Sequence, residues 1–237
     1  EYLPTRLRPG IDGQRNNRER RLRIYPNGSR YLFQTRQWIP ANFSTIKRHT
    51  MKKIDFNSFA KQIHKNAKAK GFYDKPRNMG ELFMLIVSEM GEAVEAHRKG
   101  RTANLQRFEE QYMGRREVFA TLFTSEIKDT LQDEIADVVI RLLDYCASIG
   151  EEISEGKITD LAQKEVPENV GEALFEMVGT LRWIYVASDP ITRSDEIHGF
   201  LSMMLAFCEK NGIDLWRHME LKTNYNKTRE RLHGKNY

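Results

Sequence analysis

The sequence predicts an all-α protein, a helical bundle built from two related helical hairpins, preceded by a short N-terminal extension with β-hairpin character. Three observations predict it. From residue 55 onward apolar residues recur at helical spacing, with no convincing period-two run. The connectors carry helix-stop signals at Gly71 with Pro76, Gly100, Gly150, Pro167, Pro190 and Gly212. Two stretches also repeat. Asn78-Met-Gly-Glu81 returns as Asn169-Val-Gly-Glu172, and DEIADVVIRLLDYCASIGEEI from Asp133 returns as DEIHGFLSMMLAFCEKNGIDL from Asp195.

Residues 1–50 stand apart from the rest. They hold ten Arg, one Lys and three acids, a net of +8, whereas residues 51–237 hold 27 bases and 30 acids, a net of −3. The overall +5 is therefore a property of the first fifty residues and does not mark the whole chain as a nucleic-acid binder. Within the extension, alternating runs flank Pro26-Asn27-Gly28 and suggest a hairpin. An appendage without catalytic importance, a transit peptide and a nucleic-acid-binding arm all fit its Arg-rich, acid-poor composition. Met51-Lys52-Lys53 resembles a natural start and places the domain boundary there, with residues 51–237 as one domain.

Helices are expected at about 56–70, 78–99, 104–120, 125–149, 168–187, 194–210 and 213–231. No apolar run approaches the roughly 20 residues that cross a bilayer. Cys146 and Cys208, both in apolar stretches without metal-ligand spacing, read as packing residues in a reducing compartment, and a cytoplasmic location follows. In the repeat, Cys146 falls on Cys208 and Gly150 on Gly212, so 169–215 reads as a degenerate copy of 78–153. Glu89, Glu92 and Asp137 fall on Thr180, Trp183 and Gly199, and only Glu134 keeps its acid, as Glu196. This alignment predicts that the degenerate hairpin walls a pocket opposite the acids.

The chemistry sits in two acidic pairs. In ELFMLIVSEMGEAVEAHRKG the apolar face runs through Leu82, Leu85, Ile86 and Ala93, and Glu89 and Glu92 lie on or beside it. In the helix through residues 125–149, Glu134 lies seven after Ile127 and four before Val138, with Asp137 one turn on. An i, i+3 pair puts two carboxylates on one face roughly 5–6 Å apart. Four inward carboxylates repel one another and are costly to desolvate. A hard divalent cation resolves that cost, and Mg²⁺ takes oxygen ligands, keeps waters and bridges to phosphates. Mn²⁺ is the expected substitute. No histidine is expected among the ligands.

With these residues in view, the chain resembles the MazG-like all-α nucleoside triphosphate pyrophosphohydrolases, which include dimeric dUTPase-type and dCTP pyrophosphatase-type enzymes. The resemblance rests on Glu89-Met-Gly-Glu92, Glu134-Ile-Ala-Asp137, the upstream HKNAKAKGFYD and the closing KTNYNKTRERLHGK. It covers most of 56–237 and none of 1–50. It implies Mg²⁺-dependent cleavage between the α- and β-phosphates to a nucleoside monophosphate and pyrophosphate, the substrate being a dNTP. Glu92 or Glu95 would orient the water. Lys222, Asn226 and Arg229 share one helical face suited to phosphate oxygens, and His64, Asn66 and Phe72 are candidates for base or sugar. Lys99 and Arg101 are weaker candidates. Two departures from the family pattern stand out. The spacer from 93 to 133 is long and should hold an extra helix, and 154–211 separates the second acidic pair from the closing motif.

Other function classes remain open on sequence alone. A helical interaction module that has lost activity is one, and a nucleic-acid binder acting through residues 1–50 is another. Beyond the nucleotide, a second copy of the chain is an open partner, and no membrane partner is expected.

Overall fold

The computed structural model describes residues 23–24, 30–31, 55–161 and 166–234. The chain divides into two compact units, Glu1–Thr50 and Met51–Tyr237. In the first, β1 (Arg23–Ile24) pairs antiparallel with β2 (Arg30–Tyr31), Arg23 opposite Tyr31 and Ile24 opposite Arg30. The expected turn at Pro26-Asn27-Gly28 lies outside the described residues.

The second unit is an all-α bundle. Its helices are α1 (Phe56–Ala69), α2 (Met79–Arg98), α3 (Leu105–Tyr112), α4 (Arg116–Glu126), α5 (Leu131–Ile149), α6 (Glu155–Leu161), α7 (Val170–Val186), α8 (Pro190–Lys210) and α9 (Leu215–Thr228). A 3₁₀ turn, Arg231–Gly234, follows. The expected helix over 104–120 is two helices, because Met113 (φ 42°) and Gly114 (φ 76°) are left-handed and break it. The helix expected from 125 starts at 131, where the Thr130 hydroxyl caps the Asp133 N–H after a left-handed Asp129 (φ 59°). Pro190 opens α8 rather than ending a connector. It sits in the first turn, where its missing N–H costs nothing, behind an Asp189 carboxylate that accepts the Thr192 N–H at 2.8 Å. No helix was expected at α6.

The position of α5 organises the bundle. Ile135, Ala136, Val138, Val139, Leu142, Leu143 and Cys146 are all fully buried, so the helix is apolar almost all round, as a central helix must be. It packs against α1, α2 and α9, while α7 packs against α8 and α2. The two cysteines are buried and free. The α3–α4 pair builds a smaller core of Phe108, Phe119, Phe123 and Ile127, closed by Leu221 of α9.

The two hairpins share their start and stop devices. The Asn78 side chain accepts the Glu81 N–H at 3.1 Å at the start of α2, and Asn169 accepts the Glu172 N–H at 3.0 Å at the start of α7. The Glu151 N–H reaches the Cys146 carbonyl at 2.9 Å past α5, and the Ile213 N–H reaches the Cys208 carbonyl at 2.8 Å past α8. Gly150 (φ 71°) and Gly212 (φ 64°) take the left-handed turn that both closures require. Among the described residues no helix is long and apolar enough to cross a membrane.

Candidate functional site

Two helices carry the acids past each other in opposite directions. Phe83 stacks edge-on against Tyr145, with ring centroids 5.0 Å apart. About two turns further along α2 Glu89 meets Arg141, and roughly one more turn on Glu92 comes level with Glu134. The buried stripe of α2 is Phe83, Ile86, Met90 and Ala93. Leu82, Leu85, Glu89 and Glu92 form the adjoining stripe, which faces a cavity of about 280 Å³. The apolar face expected through Leu82, Leu85, Ile86 and Ala93 is therefore two stripes, one buried in the core and one facing the cavity. Carboxylate oxygens of Glu89, Glu92 and Glu134 lie within 4.8 Å of one another. Asp137, one turn beyond Glu134, lines the same cavity.

Cations already lean on these acids. Arg141 Nε donates to Glu89 Oε1 at 2.8 Å. Lys222 Nζ, from α9, lies 2.7 Å from Asp133 Oδ2 and 2.8 Å from Asp137 Oδ2. Burial, opposed by Lys222 and reinforced by the Asp133, Asp137 and Glu89 carboxylates, pushes the Glu134 carboxyl up to about 9. Burial raises Asp133 to about 6 although Lys222 opposes it. Glu89 is also raised, by burial first and Asp137 second, against the pull of Arg141. Burial works against the Lys222 ammonium, but Asp137 and Asp133 overcome it and hold its pKa above the usual lysine value. An all-carboxylate donor set with a carboxyl kept protonated first by burial and then by nearby carboxylates is one that a hard divalent cation would relieve.

The structure gathers most of the expected residues and separates four. Glu89, Glu92, Glu134, Asp137, Asn66, Phe72, Lys222, Asn226 and Arg229 all line the cavity. Glu95 does not. It points to Lys99 at 2.9 Å and Arg98 at 3.1 Å, and the Lys99 hydrogen bond holds its carboxyl below the usual range, the wrong direction for a base. His64 is also turned away. Its Nδ1 faces Asp144 at 2.7 Å, its ring meets Tyr73 edge-on, and it lines a separate hollow of about 450 Å³ on another face of α1. Lys99, in its pair with Glu95, stays outside the cavity, as does Arg101. Lys222 is a buried, doubly paired ammonium rather than a solvated one.

The wall facing the acids is also different. It comes from α1, α9, the loops after α1 and α4 and the segment after α9, and no residue of α7 or α8 lines the cavity. The α7–α8 hairpin, expected to wall this pocket, spends its apolar face (Ala173, Leu174, Met177 and Leu181) on the main core, and α9 crosses the acidic helices instead. His198, on α8, is held between the Ser154 N–H and the Ser194 carbonyl, away from the acids.

Sequence reasoning missed Asp133, Arg141, Asp144, Lys70, Arg77, Thr223 and His233. A signal for the first three exists. Asp133, Asp137, Arg141 and Asp144 recur at spacings of four, four and three, a single charged stripe on a helix that is otherwise apolar. Four cavity-lining residues carry a buried polar atom without a protein partner: Asn66 Nδ2, Arg77 Nε, Thr223 Oγ1 and Asn226 Oδ1. A cluster of unmet donors and acceptors on one cavity wall is what a polar ligand would satisfy. His233 adds an imidazole that burial, then Arg229, lowers to about 4, so it is neutral at pH 7. No protein-family model, no curated protein and no solved structure matches the chain.

Proposed function

We propose that this cavity is the active site of a Mg²⁺-dependent nucleoside triphosphate pyrophosphohydrolase of the MazG-like kind, releasing a nucleoside monophosphate and pyrophosphate from a dNTP. The observation that carries the reading is the convergence of Glu89, Glu92 and Glu134 oxygens within 4.8 Å, on a cavity that also presents basic side chains and unmet polar atoms. Glu89, Glu92, Glu134 and Asp137 would hold Mg²⁺, with Mn²⁺ able to stand in. When bound, that ion neutralises phosphate charge and makes an attacking water more acidic.

The chain's own residues supply the rest. Glu92 is the most exposed of the four acids and is the general base of this scheme, taking the proton of the attacking water. Arg77 and Arg229 offer guanidinium forks to phosphate oxygens from the side opposite the acids. Asn66, Thr223 and Asn226 give hydrogen bonds to the sugar or base, and Phe72 with His233, whose rings meet edge-on at 5.1 Å, forms the aromatic end of the cavity.

The test is pyrophosphate release from a panel of ribo- and deoxyribonucleoside triphosphates, with Mg²⁺ and with EDTA. Release from at least one triphosphate, abolished by EDTA, supports the reading. A Mg²⁺-loaded protein that releases pyrophosphate from none of them overturns it.

A further inference from the structure

Resting on the metal reading above, we propose that Lys222 is a built-in counter-cation, which an entering divalent ion displaces from Asp137 and which Asp133 retains as a positioning residue. Metal entry then delivers an ammonium to the cavity.

The two carboxylates that hold Lys222 Nζ are not equivalent. Asp133 is fully buried in the first turn of α5, and its Oδ2 accepts from Lys222 at 2.7 Å and from the Asp129 N–H at 3.1 Å. Asp137, 2.8 Å from the same ammonium, keeps 15% of its side chain exposed and lines the cavity beside the Glu89, Glu92 and Glu134 cluster. A cation on that cluster and the ammonium of Lys222 compete for one carboxylate, and two like charges cannot both keep it cheaply where Lys222 and Asp133 are out of water. The route inward is closed. Nζ stands 5.8 Å over the ring of Phe123, which is fully buried and stacked on Tyr225 at 4.4 Å. The inserted α3–α4 pair therefore backs the lysine, and Asp133 anchors it from the side. An ammonium has three donors, so one released from Asp137 keeps Asp133 and turns its free N–H toward the cavity.

The experiment is calorimetric titration of the full chain with Mn²⁺ in buffer without phosphate. Lys222→Met is compared with wild type and with Lys128→Met, which removes another cavity-lining cation, one paired to Asp129 rather than Asp137. Lys222→Met should tighten Mn²⁺ binding at least about fivefold, the lower end of ordinary coupling between sites, and Lys128→Met should have a smaller effect. Unchanged or weaker binding in Lys222→Met, or an equal gain in both variants, overturns the proposal. A second measurement needs no charge-removing variant. The ¹⁵N signal of the Lys222 ammonium, assigned by its loss in Lys222→Arg, should exchange faster with water as wild type is saturated with Mg²⁺. A signal unmoved at saturation overturns the displacement. Absence of any Mn²⁺ binding by wild type overturns the metal reading beneath it, and so separates the two failures.

Discussion

Glu134 occupies a position where its own charge is the least welcome in the cavity. Its carboxyl is raised to about 9 from an ordinary 4.5, so the folded, metal-free protein binds a proton that the unfolded chain releases. The sign follows from that difference. The group's contribution to stability is fully present below pH 4.5 and is lost as pH rises through about 9. Melting in EDTA should therefore show this contribution fading across that window, and Glu134→Gln, which cannot ionise, should flatten the trend. A Glu134→Gln curve parallel to wild type would assign the pH dependence elsewhere. Because a carboxylate must lose its proton to ligate, Mg²⁺ affinity should rise with pH over the same range, with proton release visible as buffer-dependent heat.

The four acids make a second statement at this scale. Glu89→Gln, Glu92→Gln, Glu134→Gln and Asp137→Asn should each lower kcat/KM by at least about a hundredfold, the effect of losing a transition-state electrostatic contact. Their far-ultraviolet circular dichroism should stay helical. Near-normal rates in any two of them would sink the ligand set.

Among the elements, the α3–α4 pair supports α9 from beneath, through Leu221 and Lys222. Phe123 is fully buried, stacks on Tyr225 and lies beneath Lys222. Phe123→Ala should cost about 3–5 kcal/mol by cavity formation, read as a lower denaturation midpoint. It should also weaken Mn²⁺ binding geometry through α9, whereas Phe108→Ala, equally buried but without contact to Lys222, should affect stability alone. Equal metal affinity in the two variants would deny the insertion any part in the site.

The sequence made the helices legible where caps and apolar period agreed, as at Asn78, Asn169 and Gly150. It failed at Met113, where Gly114 alone marks the stop and a left-handed methionine adds no signal of its own, and at Pro190, because a proline stops one helix and starts another with equal ease. The acidic pairs were legible as charges on apolar stripes. Their counter-ions were not, because Lys222 meets Asp133 across 89 residues and no local period encodes that encounter. Glu95 misled for the opposite reason. One turn past Glu92, it satisfies the spacing, but its position near the helix end lets Lys99 and Arg98 claim it.

For the whole molecule, the division at Thr50 and Met51 carries a prediction. A chain shortened to begin at Met51 should keep its helical melting transition and the Mg²⁺-dependent hydrolysis proposed for the full chain. Insolubility or loss of turnover would make residues 1–50 part of the domain. The cavity also limits stoichiometry. Its acids come from α2 and α5, and the aligned positions on α7 and α8 are Thr180, Trp183 and Gly199, with Glu196 alone keeping the acid. A non-hydrolysable triphosphate with Mg²⁺ should saturate at one equivalent per chain. Two equivalents would reveal a site outside this cavity.

The ties across the site also set a clock. Glu89 finds Arg141 across 52 residues and Lys222 finds Asp133 across 89, so both close long loops and belong to the slow part of chain ordering. Contacts of that kind form after the rate-limiting barrier more often than before it, and a ligand that binds only the completed site strengthens the product side alone. Stopped-flow experiments with and without saturating Mg²⁺ should then share a refolding limb and differ in the unfolding limb. A metal-dependent refolding rate would place the acidic cluster in the folding nucleus. If the limbs separate as expected, the ion acts mainly on the lifetime of the folded chain, holding it closed for longer without helping it to close.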